Sequence, residues 1–148
     1  MSVTIRDAVA ADEDACVALL SMLNEATASR EMETSNAMRE AFRQLMDQAR
    51  GQIIVAEEAG ELLGMATVTY NLAIRYGGEY CQLEELIVNP NARGKNIGAL
   101  LVEQTVANAK ARGCAEYGLY LISTTEHNRA FYEKFGFVAM GTEMRQPL

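Results

Sequence analysis

Tryptophan is missing from this chain, and proline (2), histidine (1) and cysteine (3) are scarce among its 148 residues. The cysteines, Cys16, Cys81 and Cys114, are odd in number, widely spaced and form no CxxC. That pattern predicts reduced, buried thiols of a cytoplasmic protein, not a disulfide framework. Nothing near them in sequence supplies the base that a nucleophilic cysteine needs. The lone histidine, His127, stands at the start of a predicted helix, where a surface or capping residue is the better reading than a catalytic one. No apolar run is long enough to span a bilayer and no secretory segment is expected, so no membrane partner is expected. Bases are too few and too scattered for a nucleic-acid surface: 13 stand against 20 acids, for a net charge of −7. An acidic surface steers cationic ligands, which suits an amine substrate.

What the chain does have is aliphatic periodicity, in amounts expected of one domain over residues 1–148. Val3 to Asp7 reads as a strand. A helix follows from about Asp12, with Cys16, Leu19, Leu20 and Leu23 at i, i+3, i+4 and i+7. After a polar stretch from Thr27 to Glu33, a second helix carries Met38, Ala41, Phe42, Leu45 and Met46 on one stripe and ends near Gly51. Gln52 to Glu57 and Leu62 to Leu72 read as strands joined by a hairpin at Glu58-Ala59-Gly60-Glu61. Further strands are expected at 78–89, 116–122 and 137–144, with a long helix at 97–112 stopped by Gly113 and a short one at 127–135. The alternation predicts a mixed α/β (α+β) domain, a central sheet with helices on both faces.

The most informative segment is Leu83 to Leu101. An apolar strand is stopped by Asn89-Pro90, and a basic, glycine-containing loop runs directly into the long helix. Free N–H groups of the first helical turn, together with the helix dipole, make an anion cradle. Gly94 and Gly98 are expected to let a ligand approach the backbone, and Arg93 and Lys95 add charge. Neither G-x-x-x-x-G-K-[ST] nor G-x-G-x-x-G occurs, so two common phosphate loops are excluded. Arg93-x-x-Asn96-x-Gly98 instead resembles motif A of the GNAT superfamily of acyl-CoA-dependent N-acetyltransferases. Asn96 stands where that motif has glycine, and asparagine tolerates the left-handed backbone such a loop needs. The Arg-Gly-x-Asn-Ile-Gly run also resembles aminoalkylphosphonate N-acetyltransferases.

A second segment supports the same family. Asn128 and Tyr132 lie at i, i+4 on the short helix, which is followed by Gly136-Phe137. This Asn-x-x-x-Tyr-x-x-x-Gly-Phe pattern resembles motif B of the GNAT superfamily. The resemblance implies a single GNAT-type domain with a mostly antiparallel mixed sheet, splayed between strands four and five, and a bulge in strand four. It implies acetyl-CoA as cosubstrate. The backbone of Leu86, Ile87 and Val88 would meet the pantetheine arm, and Arg93, Gly94, Lys95, Asn96, Ile97, Gly98 and Ala99 would hold the pyrophosphate. Asn128 would bind a pantetheine carbonyl or a water, or cap its helix.

Acetyl transfer to an amine needs a base, because an alkyl ammonium must lose a proton before attack, and a donor for the departing thiolate. Tyr132 is the expected donor; the competing reading makes it a core aromatic. Glu84 and Glu85 are the candidate bases. Simple strand alternation sends them to opposite faces, with Glu84 sharing a face with Gln82 and Leu86 and therefore preferred. Tyr70, Tyr76, Tyr80, Arg75 and Arg30 are candidates for acceptor recognition. The sequence therefore predicts transfer from acetyl-CoA to a small-molecule amine in a ternary complex, with a homodimer left open. The alternatives are a non-catalytic acyl-CoA-binding domain and a protein or peptide N-terminal acetyltransferase.

Overall fold

The computed structural model describes residues 2–27 and 36–148. Five strands form one sheet in the order β1-β2-β3-β4-β5: β1 (Thr4–Asp7), β2 (Gly51–Glu58), β3 (Glu61–Ala73), β4 (Gly78–Val88) and β5 (Tyr117–Gly118). The first four are antiparallel in succession, and β5 runs parallel to β4. The hairpin between β2 and β3 turns at Ala59 (φ 53°) and Gly60 (φ 80°), both left-handed, as a tight turn between twisted strands requires.

Strand alternation divides the core into two layers. Ile54, Ala66, Val68, Cys81 and Leu83 pack with Ile97, Leu101 and Ala109 of α3 (Ile97–Arg112). Ile53, Val55, Met65 and Ile87 pack on the other face, with Cys16 and Leu19 of α1 (Glu13–Thr27) and Phe42 of α2 (Asn36–Leu45). Gly64 lets α3 settle on the sheet. A Cβ there would stand 2.8 Å from the Ile87 carbonyl oxygen and 3.0 Å from Ile97 Cγ2. Gly113 ends α3 in the left-handed conformation (φ 87°), its N–H bonded to the Ala109 and Lys110 carbonyls.

Two expected strands are corrected. The strand expected at 116–122 is ordered as β only at Tyr117–Gly118. Its pairing with β4 stops at Gln82–Gly118, so from Leu83 to Val88 β4 stays paired with β3 on one side and has no strand on the other among the described residues. The strand expected at 137–144 does not form: Val138, Met140 and Met144 stand 74%, 87% and 92% exposed. A two-residue β5 offers too short a ladder for a neighbour to extend, so an alternating pattern there has nothing to pair with. The short helix divides into a 3₁₀ turn (Glu126–Asn128) and α4 (Arg129–Glu133). No helix among the described residues is long and apolar enough to cross a membrane.

Candidate active site

The loop between β4 and α3 starts with a 3₁₀ turn at Pro90–Ala92, held by the Asn89 side chain accepting the Asn91 N–H. Gly94 (φ 86°) and Asn96 (φ 61°) then take left-handed backbone, so asparagine does adopt the conformation that motif A supplies with glycine. Asn96 precedes α3, and its carbonyl accepts the Leu100 N–H at 3.1 Å. The N–H groups of Ile97, Gly98 and Ala99 have no partner among the described residues, and the positive end of a 16-residue helix adds to them. Arg93 is exposed and likewise unpartnered.

Two loop residues differ from expectation. Lys95 is not a free charge: its Nζ pairs with Glu58 on β2. Gly98 faces other side chains: a Cβ there would stand 3.4 Å from Phe131 Cζ and 3.7 Å from Val88 Cγ2, in ordinary van der Waals contact, so α4 and the end of β4 cover this side of the helix start. Sequence spacing alone had no way to signal Phe131.

Strand β4 carries the largest correction. Thr67 pairs with Glu85 and Val68 with Leu83, which leaves Glu84 as the extra residue of a bulge. The bulge inverts the alternation. Before it, Cys81 and Leu83 face the α3 layer; after it, Leu86 and Val88 do, while Ile87 faces α1 and α2. Glu84 and Glu85 therefore do not point to opposite faces. Glu84 accepts from Thr69 Oγ1 at 2.7 Å and Glu85 accepts from Thr67 Oγ1, and Thr67 and Thr69 lie on the same face of β3 as Met65. Glu84 is exposed and Glu85 half-buried. Burial pushes the Glu85 carboxyl above the usual carboxylate range, the Thr67 hydrogen bond pulls it back, and the nearby Glu84 charge pushes it further up. The geometric reason for preferring Glu84 therefore does not hold: Glu84 shares no face with Leu86, and Glu85 is the half-buried carboxylate of the two.

Tyr132 packs against the α3-side core, its ring 5.1 Å from Phe131 and 6.1 Å from Phe137. Its hydroxyl has no partner among the described residues, and burial raises its pKa, so it remains a neutral donor at physiological pH. Asn128 makes no side-chain cap to α4, which removes the capping alternative and leaves its amide free. His127 is exposed and unpartnered among the described residues. Cys16 and Cys81 are buried, and burial pushes both thiols up to about 12, so neither is a nucleophile.

Of the acceptor-recognition candidates, Tyr70 is buried, bonds Gln52 through its hydroxyl and lies under Arg112. Arg75 stacks over Tyr76 and Tyr80 at the tip of the β3–β4 hairpin, and Tyr76 bonds Glu116. Arg30 lies outside the described residues. The structure thus brings together β4 beyond its bulge, the start of α3, and Tyr132. It keeps Tyr70 in the core.

Comparison with known proteins agrees with this geometry. The family profile described as Acetyltransferase (GNAT) family matches residues 17–137. Glucosamine 6-phosphate N-acetyltransferase 1 from Oryza sativa subsp. japonica is 31% identical over 129 residues, covering 84% of this chain and 76% of the relative. Among solved structures, a Bacillus halodurans C-125 protein described as a transcriptional regulator superposes with a TM-score of 0.83 at 28% identity, covering 99% of each chain. A predicted acetyltransferase from Clostridium acetobutylicum, solved with acetyl-CoA, superposes with a TM-score of 0.83 at 17% identity, covering 98% of this chain and 96% of that one.

Proposed function

We propose, for a chain that belongs to the acetyltransferase (GNAT) family, that it moves the acetyl group of acetyl-CoA to the primary amine of a small molecule, by direct attack in a ternary complex. The family is one of acyl-CoA-dependent acetyltransferases. The observation that carries the reading is the bulge at Glu84. It turns two carboxylates to one face of β4, just past the point where the strand loses β5 on one side, on the strand that leads into the loop before the free amides of α3.

The roles divide by chemistry. The N–H groups of Ile97, Gly98 and Ala99, with Arg93, take the pyrophosphate of the cosubstrate. The unpaired edge of Leu86, Ile87 and Val88 meets the amide-rich pantetheine arm as a neighbouring strand would. Asn128 holds a carbonyl of that arm. Glu85 takes the proton of the acceptor ammonium, directly or through a water, while Glu84 adds negative charge that draws the ammonium in. Tyr132 donates to the departing sulfur.

The acceptor is a small amine, in line with the rice relative's named activity on glucosamine 6-phosphate. The test is an acceptor screen with acetyl-CoA, read by free thiol release. It should include glucosamine 6-phosphate, an aminoalkylphosphonate, polyamines and a peptide N-terminus. Turnover with a small amine supports the reading, turnover with the peptide alone moves the activity to protein N-termini, and binding of acetyl-CoA without any turnover means a non-catalytic domain.

A further inference from the structure

A single hydroxyl holds both ends of the proposed base. Thr67 Oγ1 donates to Glu85 Oε2 and at the same time accepts the Glu85 backbone N–H at 3.1 Å. Thr67 is 3% exposed, in the middle of β3. It sits at the point where the register with β4 shifts, so the residue that faces the bulge also grips the carboxylate that the bulge re-aims. No buried side-chain oxygen or nitrogen among the described residues is left without a partner. Oε2 is taken by Thr67, while Oε1 has no partner among the described residues and is therefore not fully buried.

We infer that Thr67 is a positioning residue for amine deprotonation: its hydroxyl fixes Glu85 with Oε2 tethered and Oε1 free to accept the proton. This inference rests on the reading of Glu85 as the base. The tether does two things. It removes rotamer freedom from a carboxylate that would otherwise swing with its strand. It also stabilises the charged form of a group that burial pushes toward the neutral one, so that a base is present at working pH. The charges that act on Glu85 are few. Glu84 is next to it on β4, and Arg145 on the C-terminal segment is close enough to feel Glu84. The α1 and α2 layers turn the neutral thiol of Cys16 and the apolar Leu19 and Phe42 to this face. Thr69 holds Glu84 in a parallel way and is itself bonded by the Asn71 amide at 3.1 Å.

The experiment is a pH profile of kcat/KM for Thr67→Val, Thr67→Ser and Glu85→Gln, using the best acceptor of the screen, with thermal midpoints to verify folding. Valine matches threonine in shape and removes only the hydroxyl; Thr67→Ala repeats the loss should valine disturb packing. Thr67→Val is expected to lower kcat/KM roughly tenfold or more at neutral pH and to move the acidic limb to higher pH, so that the deficit shrinks as pH rises. Thr67→Ser is expected to restore the limb. A Thr67→Val profile parallel to the parent, or a serine variant no better than valine, overturns the inference and makes Thr67 a staple of the bulge only. If Glu85→Gln abolishes the limb while Thr67→Val keeps it, Thr67 alone is misassigned. If Glu85→Gln leaves the profile untouched, Glu85 is not the base and the inference falls with it.

Discussion

Glu84 and Glu85 are neighbours in the chain, yet both reach the same face of the sheet, one held by Thr69 and the other by Thr67. A bulge with Glu84 as its extra residue makes this arrangement. It puts two like charges side by side, one exposed and one half-buried, and so separates their chemistry. For catalysis, Glu85→Gln should depress kcat/KM most at low pH, where little acceptor arrives deprotonated, with the deficit closing as pH approaches the amine's own pKa. Glu84→Gln should act mainly through KM. Rates across pH for both variants check this, and a larger kcat loss in Glu84→Gln would reverse the assignment.

The same burial has a stability consequence of definite sign. The Glu85 carboxyl titrates higher in the folded chain than in the unfolded one. Its favourable contribution is therefore present below the unfolded value, near pH 4, and is lost as pH rises through the raised folded value. Glu85→Gln should melt at a higher temperature than the parent at neutral pH, and the gain should vanish in acid. An inactive variant that is more stable is the expected signature of a functional group held against its solvation preference. Thermal midpoints at pH 4 and pH 7.5 measure it.

Tyr132→Phe keeps the aromatic contacts with Phe131 and Phe137 and removes only the unpartnered hydroxyl. A general acid typically contributes roughly 10²–10⁴-fold, so kcat should fall within that range while acetyl-CoA affinity changes little. Steady-state kinetics with calorimetry of acetyl-CoA binding separate the two. Full activity would return Tyr132 to the role of a packing residue.

In the loop, the left-handed Asn96 is the strained position. Asn96→Gly should preserve acetyl-CoA affinity, whereas Asn96→Val should weaken it and cost about 1–2 kcal/mol of stability, because a β-branched residue resists positive φ. Arg93→Glu should weaken acetyl-CoA binding about tenfold. Lys95→Glu should weaken it less, since Lys95 is already paired with Glu58. Calorimetric titration of acetyl-CoA into the four folded variants tests the order.

Gly64→Ala should destabilise the fold by about 1–3 kcal/mol through overpacking, because the added methyl meets the Ile87 carbonyl at 2.8 Å. A backbone oxygen cannot swing aside as a flexible side chain does. Denaturant unfolding should show a lower midpoint with an unchanged slope.

What the sequence determined by itself is what depends on neighbours along the chain. The α3 bounds at Ile97 and Arg112, its stop at Gly113, the Ala59-Gly60 hairpin and the left-handed Asn96 all follow from local periodicity and backbone sterics, and all are found. The free amides of the α3 start are equally local, since every helix leaves its first turn unpaired. Tertiary structure decided the rest. Whether Glu84 and Glu85 part or align depends on a register shift against β3, a property of two strands and not of one. Gly98 is covered by Phe131 and Lys95 captured by Glu58, contacts spanning 33 and 37 residues that no local pattern announces. The alternating segment after Phe137 has a strand's pattern and no strand's partner: a ladder needs an adjacent edge, and β5 ends after two residues.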